Sequence, residues 1–229
     1  MTRLIPLALL IAAPPLAAAC PPPFTGANAA FYYDTSARIG ACSVPWLFGD
    51  HVAAINLAQW DGAAHCGECL QVTGPLGTTV VKVLDLCPEC TAGQLDLSPG
   101  AFAAIGDPLQ GTVPVQWQRV DCPVSGNLTY RFEGSSEFYL SLQPRNHRHG
   151  VQSISVLHNG NYMPMVRTGS NKFIYATGTG SVVNLQFRVS STAGEVLDQT
   201  FPFLQNDLDI PGGSQFAPCS PVLFGNGFE

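Results

Sequence analysis

Eight cysteines, all lying beyond an apolar N-terminal run, constrain this chain more than any other feature. The run extends from Leu4 to Ala19 behind Arg3, is broken by Pro6, Pro14 and Pro15, and ends in Ala17-Ala18-Ala19. This is the pattern of a secretory signal peptide over residues 1–19, because a spanning helix needs about 20 apolar residues without such breaks. Cleavage after Ala19 leaves Cys20 at the mature N-terminus; a lipoprotein acylated on Cys20 is the competing reading, but the leucine usual three residues upstream is missing. Export leads to an oxidising compartment, so Cys20, Cys42, Cys66, Cys69, Cys87, Cys90, Cys122 and Cys219 are expected in disulfides. Zinc competes on spacing, since Cys66-Gly67-Glu68-Cys69 and Cys87-Pro88-Glu89-Cys90 are 17 residues apart, within the range of zinc ribbons. Oxidation argues against it, and neither a metal nor any other cofactor is expected.

The remainder reads as an all-β chain. Charged residues make up 11%, Gly and Pro number 23 and 19, and 46% of residues are hydrophobic, which excludes disorder, coiled coils and helical bundles. Residues 70–73 and 78–85 flank a Gly-Pro-Leu-Gly turn and predict a hairpin. Residues 98–106 predict a short helix with Ser98 as N-cap, Pro99 in its first turn and Gly106 as stop. A turn-rich break at 122–127 separates seven of the cysteines from a series of alternating runs at 128–132, 138–143, 151–157, 162–166, 173–176, 182–189 and 196–201, the signature of a small sandwich. Two domains follow, 20–122 and 123–204, with a tail at 205–229 in which no period is visible.

The formal charge of −6 includes only ten Lys and Arg, too few for a basic stripe, which argues against nucleic acid and anionic membranes as partners. Neutral partners met through hydrogen bonds and stacking remain. The five histidines show no ligand spacing; His147 and His149, beside Arg145 and Arg148, read as a solvated or structural cluster.

Several stretches resemble, in order and spacing, the first domain of microbial expansins: residues 29–34, Gly40-Ala41-Cys42, Cys66-Gly67-Glu68-Cys69, residues 83–88, Leu95-Asp96-Leu97-Ser98 and Ala101-Phe102. Residues 126–131, 133–136 and 145–147 resemble the expansin carbohydrate-binding sandwich. The resemblance implies a six-stranded double-psi β-barrel followed by an immunoglobulin-like β-sandwich, in a secreted monomer. It further implies binding to cellulose or matrix β-glucan and loosening of plant-type walls without cutting glycosidic bonds.

Site residues follow from the same likeness. Asp96 falls where the family keeps its indispensable aspartate and Asp85 at its other important barrel aspartate. Tyr32, Tyr33, Phe138 and Tyr139 are implied as polysaccharide-binding residues, with Phe138 and Tyr139 standing where related proteins carry two tryptophans. Ser170 replaces a third surface aromatic, Ala30 a threonine, and Cys87 a tyrosine near the barrel site. Asp34 matches the base of inverting endoglucanases that share this barrel, so hydrolysis with Asp96 as acid is the alternative function; a barwin-type wall- or chitin-binding module is the third. The likeness also pairs Cys42 with Cys66 and Cys69 with Cys122, leaving Cys87–Cys90 and Cys20–Cys219.

Overall fold

The computed structural model describes residues 24–31, 38–47 and 49–219. The first unit is a closed barrel of β1 (Phe24–Phe31), β4 (Val52–Asn56), β5 (Cys69–Gly74), β6 (Gly77–Cys87), β7 (Leu95–Leu97) and β8 (Thr112–Val120), in the order β1-β7-β4-β6-β5-β8. β2 (Arg38–Ile39) and β3 (Pro45–Trp46) form a short ribbon outside it. β1 runs parallel to β7 and β4 parallel to β6, while the other neighbours are antiparallel. β5 and β6 are the hairpin expected at 70–85, with Gly74 opposite Gly77.

Alternation decides which side chains fill the barrel. In β8, Val113, Val115 and Trp117 are buried and Thr112, Pro114 and Gln116 are exposed, the period of two of a half-buried strand. Val113, Val115 and Trp117 join Leu70, Val72, Val81, Val83, Leu95, Leu97 and Phe102 in one core. Helix α1 (Pro99–Ala103) contributes Phe102 and sits where expected, but Ser98 does not cap it with its side chain. The Ser98 hydroxyl instead donates to the Asp50 carbonyl and accepts from the Val52 N–H, tying the approach to β4 against β7.

The second unit packs two sheets face to face. One comprises β13 (Val166–Arg167), β14 (Phe173–Tyr175), β10 (Leu140–Arg145), β9 (Thr129–Phe132) and β17 (Asp209–Pro211); the other comprises β12 (Asn161–Pro164), β11 (Val151–His158), β15 (Val183–Ser191) and β16 (Val196–Phe203). Phe132 and Phe201 meet edge to face at 5.5 Å, as do Tyr130 and Phe201 at 5.1 Å, the aromatic geometry favoured by ring quadrupoles. Residues 209–216 pack with this unit in the structure. β17 pairs with β9, and Phe216 is fully buried in the same core, although Pro211-Gly212-Gly213 hides any period from a sequence reading.

Three disulfides are described: Cys42–Cys66, Cys69–Cys122 and Cys87–Cys90. All four sulfurs of the two Cys-x-x-Cys pairs are thereby committed, which removes them as zinc ligands. Cys219 is also disulfide-bonded, with its partner outside the described residues, as is Cys20. Chain entropy makes the long closures the strong ones: separations of 24 and 53 correspond to roughly 3.5 and 4 kcal/mol, and a separation of 3 to roughly 2 kcal/mol.

Candidate functional site

A row of four residues crosses one face of the barrel. Ala54 of β4 lies opposite Asp85 of β6 on one side and Asp96 of β7 on the other, and Asp96 lies opposite Ala30 of β1. Residues directly opposite one another share a face, so the order Asp85–Ala54–Asp96–Ala30 places two carboxylates about 9–10 Å apart at the backbone, two strand spacings, with only methyl groups beside them. Ala54 is buried and the two aspartates are half-buried. The floor between them is therefore lined by small side chains, and both aspartates are partly open to solvent.

The two acids are held differently. Asp85 Oδ1 accepts from the Ala41 N–H at 2.7 Å and from the Leu86 N–H at 2.9 Å. Gly40 permits the first contact, since a Cβ there would lie 2.5 Å from the Leu84 carbonyl and 2.7 Å from Asp85 Cγ. This explains Gly40-Ala41-Cys42 physically: a close approach of backbone to strand, locked by Cys42–Cys66. Asp96 has the opposite environment. Its Oδ1 is buried and without a hydrogen-bond partner, and burial, with Asp85 and Glu89 adding repulsion against a counteracting backbone hydrogen bond from Leu97, pushes its pKa up to about 6. An unsatisfied buried oxygen costs free energy, so the Asp96 carboxyl sits in an unfavourable setting while Asp85 is tied down by two backbone donors.

The next row along the same face is Asn56 opposite Cys87. Asn56 is fully buried; its amide donates to Gln59 Oε1 and the Gln94 carbonyl, and Gln59 Oε1 also accepts from the Gly93 N–H. These contacts set the rim where the chain passes from β6 through Cys87–Cys90 to β7.

In the second unit Phe138 and Tyr139 do not start a strand, as the run at 138–143 suggested. Ser136 and Tyr139 form an isolated antiparallel bridge with reciprocal backbone hydrogen bonds, so Glu137 and Phe138 are the tip of a tight turn and β10 begins at Leu140. The alternation rule that would put neighbours on opposite faces does not apply at a turn tip. Phe138 is 72% exposed and Tyr139 half-buried. Tyr32, Tyr33 and Asp34 lie outside the described residues.

The junction between the units carries further residues, of which Arg119, Gln143, Arg167 and Thr192 were not singled out from the sequence. Glu68 of the Cys-Gly-Glu-Cys segment is buried and accepts from Thr192 at 2.6 Å, with His65 at 2.8 Å and Arg119 at 3.0 Å on its other oxygen. His147 is buried rather than solvated, against Gly67; a Cβ at Gly67 would lie 2.5 Å from the imidazole Cε1. Gln143 donates to the Cys42 carbonyl and Arg167 to the Ala63 carbonyl. The available signal was the pair of glycines at the crossing, Gly67 and Gly150, each filling a place a side chain could not.

The architecture is that of a two-unit protein in which a double-psi type barrel precedes a β-sandwich. A family model described as lytic transglycolase, DPBB_1, matches residues 52–117. Expansin-YoaJ of Bacillus subtilis (strain 168) is 38% identical over 176 residues, covering 72% of this chain and 75% of that protein. Expansin-like protein 3 of Dictyostelium discoideum is 29% identical over 213 residues, 85% of this chain and 62% of that one. Among solved structures, the apo Clavibacter michiganensis expansin superposes with a TM-score of 0.78 at 28% identity, covering 86% of this chain and 99% of that one. An Asp-to-Asn variant of that expansin in complex with cellohexaose gives a TM-score of 0.77 at 26% identity, again covering 86% of this chain and 99% of that one. The chain belongs to the expansin family.

Proposed function

We propose that this is a secreted, monomeric expansin-type protein that binds cellulose or a related matrix β-glucan and loosens plant-type walls without hydrolysis. The observation that carries the reading is Asp96: a half-buried carboxyl with one unpartnered oxygen on an alanine-lined row. Below its raised pKa it donates a hydrogen bond to a glycosidic or hydroxyl oxygen, and above it accepts from sugar hydroxyls. Competition of this kind with the contacts between glucan chains separates them without breaking a covalent bond. The Clavibacter relative was solved with cellohexaose, which supports a β-1,4-glucan as ligand. Phe138, exposed at its turn tip, supplies a face for stacking on glucose rings.

Inverting hydrolysis needs an ionised base about 6.5–9.5 Å from the acid with room for water. Asp85 Oδ1 is already engaged by two backbone N–H groups, which leaves only its second oxygen to meet a water. Asp34 is the candidate named by the family likeness.

Incubation with insoluble cellulose, xylan, chitin and peptidoglycan, with bound protein and reducing sugar measured in the same tubes, tests the reading. The expected result is retention on cellulose and weakening of filter paper or wall strips with no sugar release, the weakening lost in Asp96→Asn and kept in Asp34→Asn. Sustained release of reducing ends that vanishes in both variants would make the protein a glucanase instead.

A further inference from the structure

Cys87 and Cys90 differ in exposure from the half-cystines of Cys42–Cys66 and Cys69–Cys122, and Cys219, half-buried as they are, lies beside Asp121 rather than at the Asp96 row. Cys42, Cys66, Cys69 and Cys122 are each no more than 2% exposed, beyond the reach of a reductant in the folded protein. Cys87 and Cys90 are half-buried, and Pro88 and Glu89 between them are exposed. The register places this disulfide at the site. Cys87 ends β6 two residues after Asp85, on the same face, and is opposite Asn56.

The chain on either side is anchored to the barrel, whereas the described hydrogen bonds of the segment between run only within itself and to Gln94. Gly93 and Gln94 are held by Gln59, Asn56 and the Trp117 indole, and Cys87 is the last residue of a strand. Between them the Cys87–Cys90 bond and the Cys90 N–H to Cys87 carbonyl contact close the turn that carries Glu89. Glu89 is one of the charges that push the Asp96 pKa up, so the turn's position is felt at the Asp96 carboxyl.

We propose that Cys87–Cys90 is a thiol–disulfide exchange site at the rim of the Asp96 row, opened by small dithiols while the Cys42–Cys66 and Cys69–Cys122 bonds stay closed, and that opening it weakens glucan binding. One thiolate of the dithiol attacks a sulfur of the pair, the S–S bond breaks, and the other cysteine leaves as a thiolate that takes up a proton. The second thiol of the reagent then displaces the mixed disulfide, so two electrons pass to the protein and the reagent leaves as a cyclic disulfide. The effect on binding rests on the proposed function; the exchange itself does not.

Limiting dithiothreitol on the native full chain, quenched with iodoacetamide at intervals and mapped by mass, tests the exchange. Label at Cys87 and Cys90 is expected at least tenfold sooner than at Cys42, Cys66, Cys69 or Cys122, with circular dichroism unchanged. Label reaching those four as early overturns the proposal. Cellulose retention should fall at least threefold in the reduced protein and in a Cys87→Ser, Cys90→Ser variant, and the Asp96 carboxyl should titrate lower in both by NMR. Equal retention together with an unmoved Asp96 titration overturns the coupling to the site. Absence of cellulose binding in every form, with the labelling order and the Asp96 shift as expected, leaves the exchange site standing and removes the glucan reading.

Discussion

The Thr192 hydroxyl donates to Glu68 Oε1 at 2.6 Å, across 124 positions of sequence and from the sandwich to the barrel. Glu68 is thus the point at which the two units share a buried charge, with His65 and Arg119 on its second oxygen. Burial pushes its pKa up, but hydrogen bonding and charge from His65, with Thr192 and Arg119, outweigh this and hold it below the usual glutamate value. The contact therefore stabilises the fold above about pH 4.5, and that stability is lost as the pH falls through the lowered native pKa.

Removing Thr192's hydroxyl leaves a buried carboxylate oxygen short of a donor. Thr192→Val is expected to cost about 1–3 kcal/mol at pH 7, and Glu68→Ala about 3–5 kcal/mol, because it strands Arg119. Urea unfolding at pH 7 measures both, and the Glu68→Ala deficit should shrink below pH 4. A deficit that is the same at every pH would show that packing, not charge, holds the junction.

His147 contributes the same sign of pH dependence by a different route. Burial first, then the Lys82 charge, lowers its pKa to about 4, so between pH 6.5 and 4 the unfolded chain binds a proton that the folded one does not. Stability rises with pH across that window, by up to about 3 kcal/mol. His147→Asn should flatten the slope of unfolding free energy against pH between 4 and 6.5. Gly67→Ala, at φ +78° and against the imidazole, should cost about 2 kcal/mol or more.

Much of this protein was legible in its sequence because local rules agreed with the global fold. The sandwich strands were visible because residues such as Leu185, Phe187 and Val189 alternate with exposed neighbours. The short helix was visible from Pro99 and Gly106. Asp96 was singled out only through likeness, since neither spacing nor composition says that one aspartate on β7 keeps an unpartnered oxygen. His147, Thr192 and Arg119 were not legible, because their roles arise from contacts 50 to 130 residues distant that no local pattern encodes. Ser98 shows a rule in competition: a residue with ideal capping chemistry was captured by Asp50 and Val52.

Asp96 predicts an opposite pH trend. Its native pKa of about 6 lies above that of an unfolded aspartate, so the folded state binds the proton more tightly. Its ionisation destabilises the fold as pH rises from about 4 to 6, and the penalty is fully present above that. For a part-exposed group, screening reduces the penalty to roughly 1–2 kcal/mol. Asp96→Asn should therefore raise Tm at pH 7.5 and leave it unchanged at pH 4, while wall weakening is lost. A stabilised but inactive variant is the mark of a residue kept for function; a destabilised one would mean that Asp96 holds the barrel together.

Phe138 and Tyr139 separate binding from folding. Phe138 projects 72% of its surface from a turn tip, so truncating it removes little that the fold uses, whereas Tyr139, half-buried and bridged to Ser136, is part of the turn. Docking a sugar ring on the Phe138 face buries apolar area worth about 1.5–2 kcal/mol, and Phe138→Ala should weaken cellulose affinity about tenfold at unchanged Tm. Tyr139→Ala should lower Tm as well as affinity, and the double variant should bind at background. Because stacking carries the contact, affinity should barely change between 50 mM and 500 mM salt, conditions across which charge-driven binding falls steeply. Binding isotherms on crystalline cellulose at both salt levels decide it: steep salt dependence with an unaffected Phe138→Ala would move the binding surface away from this turn.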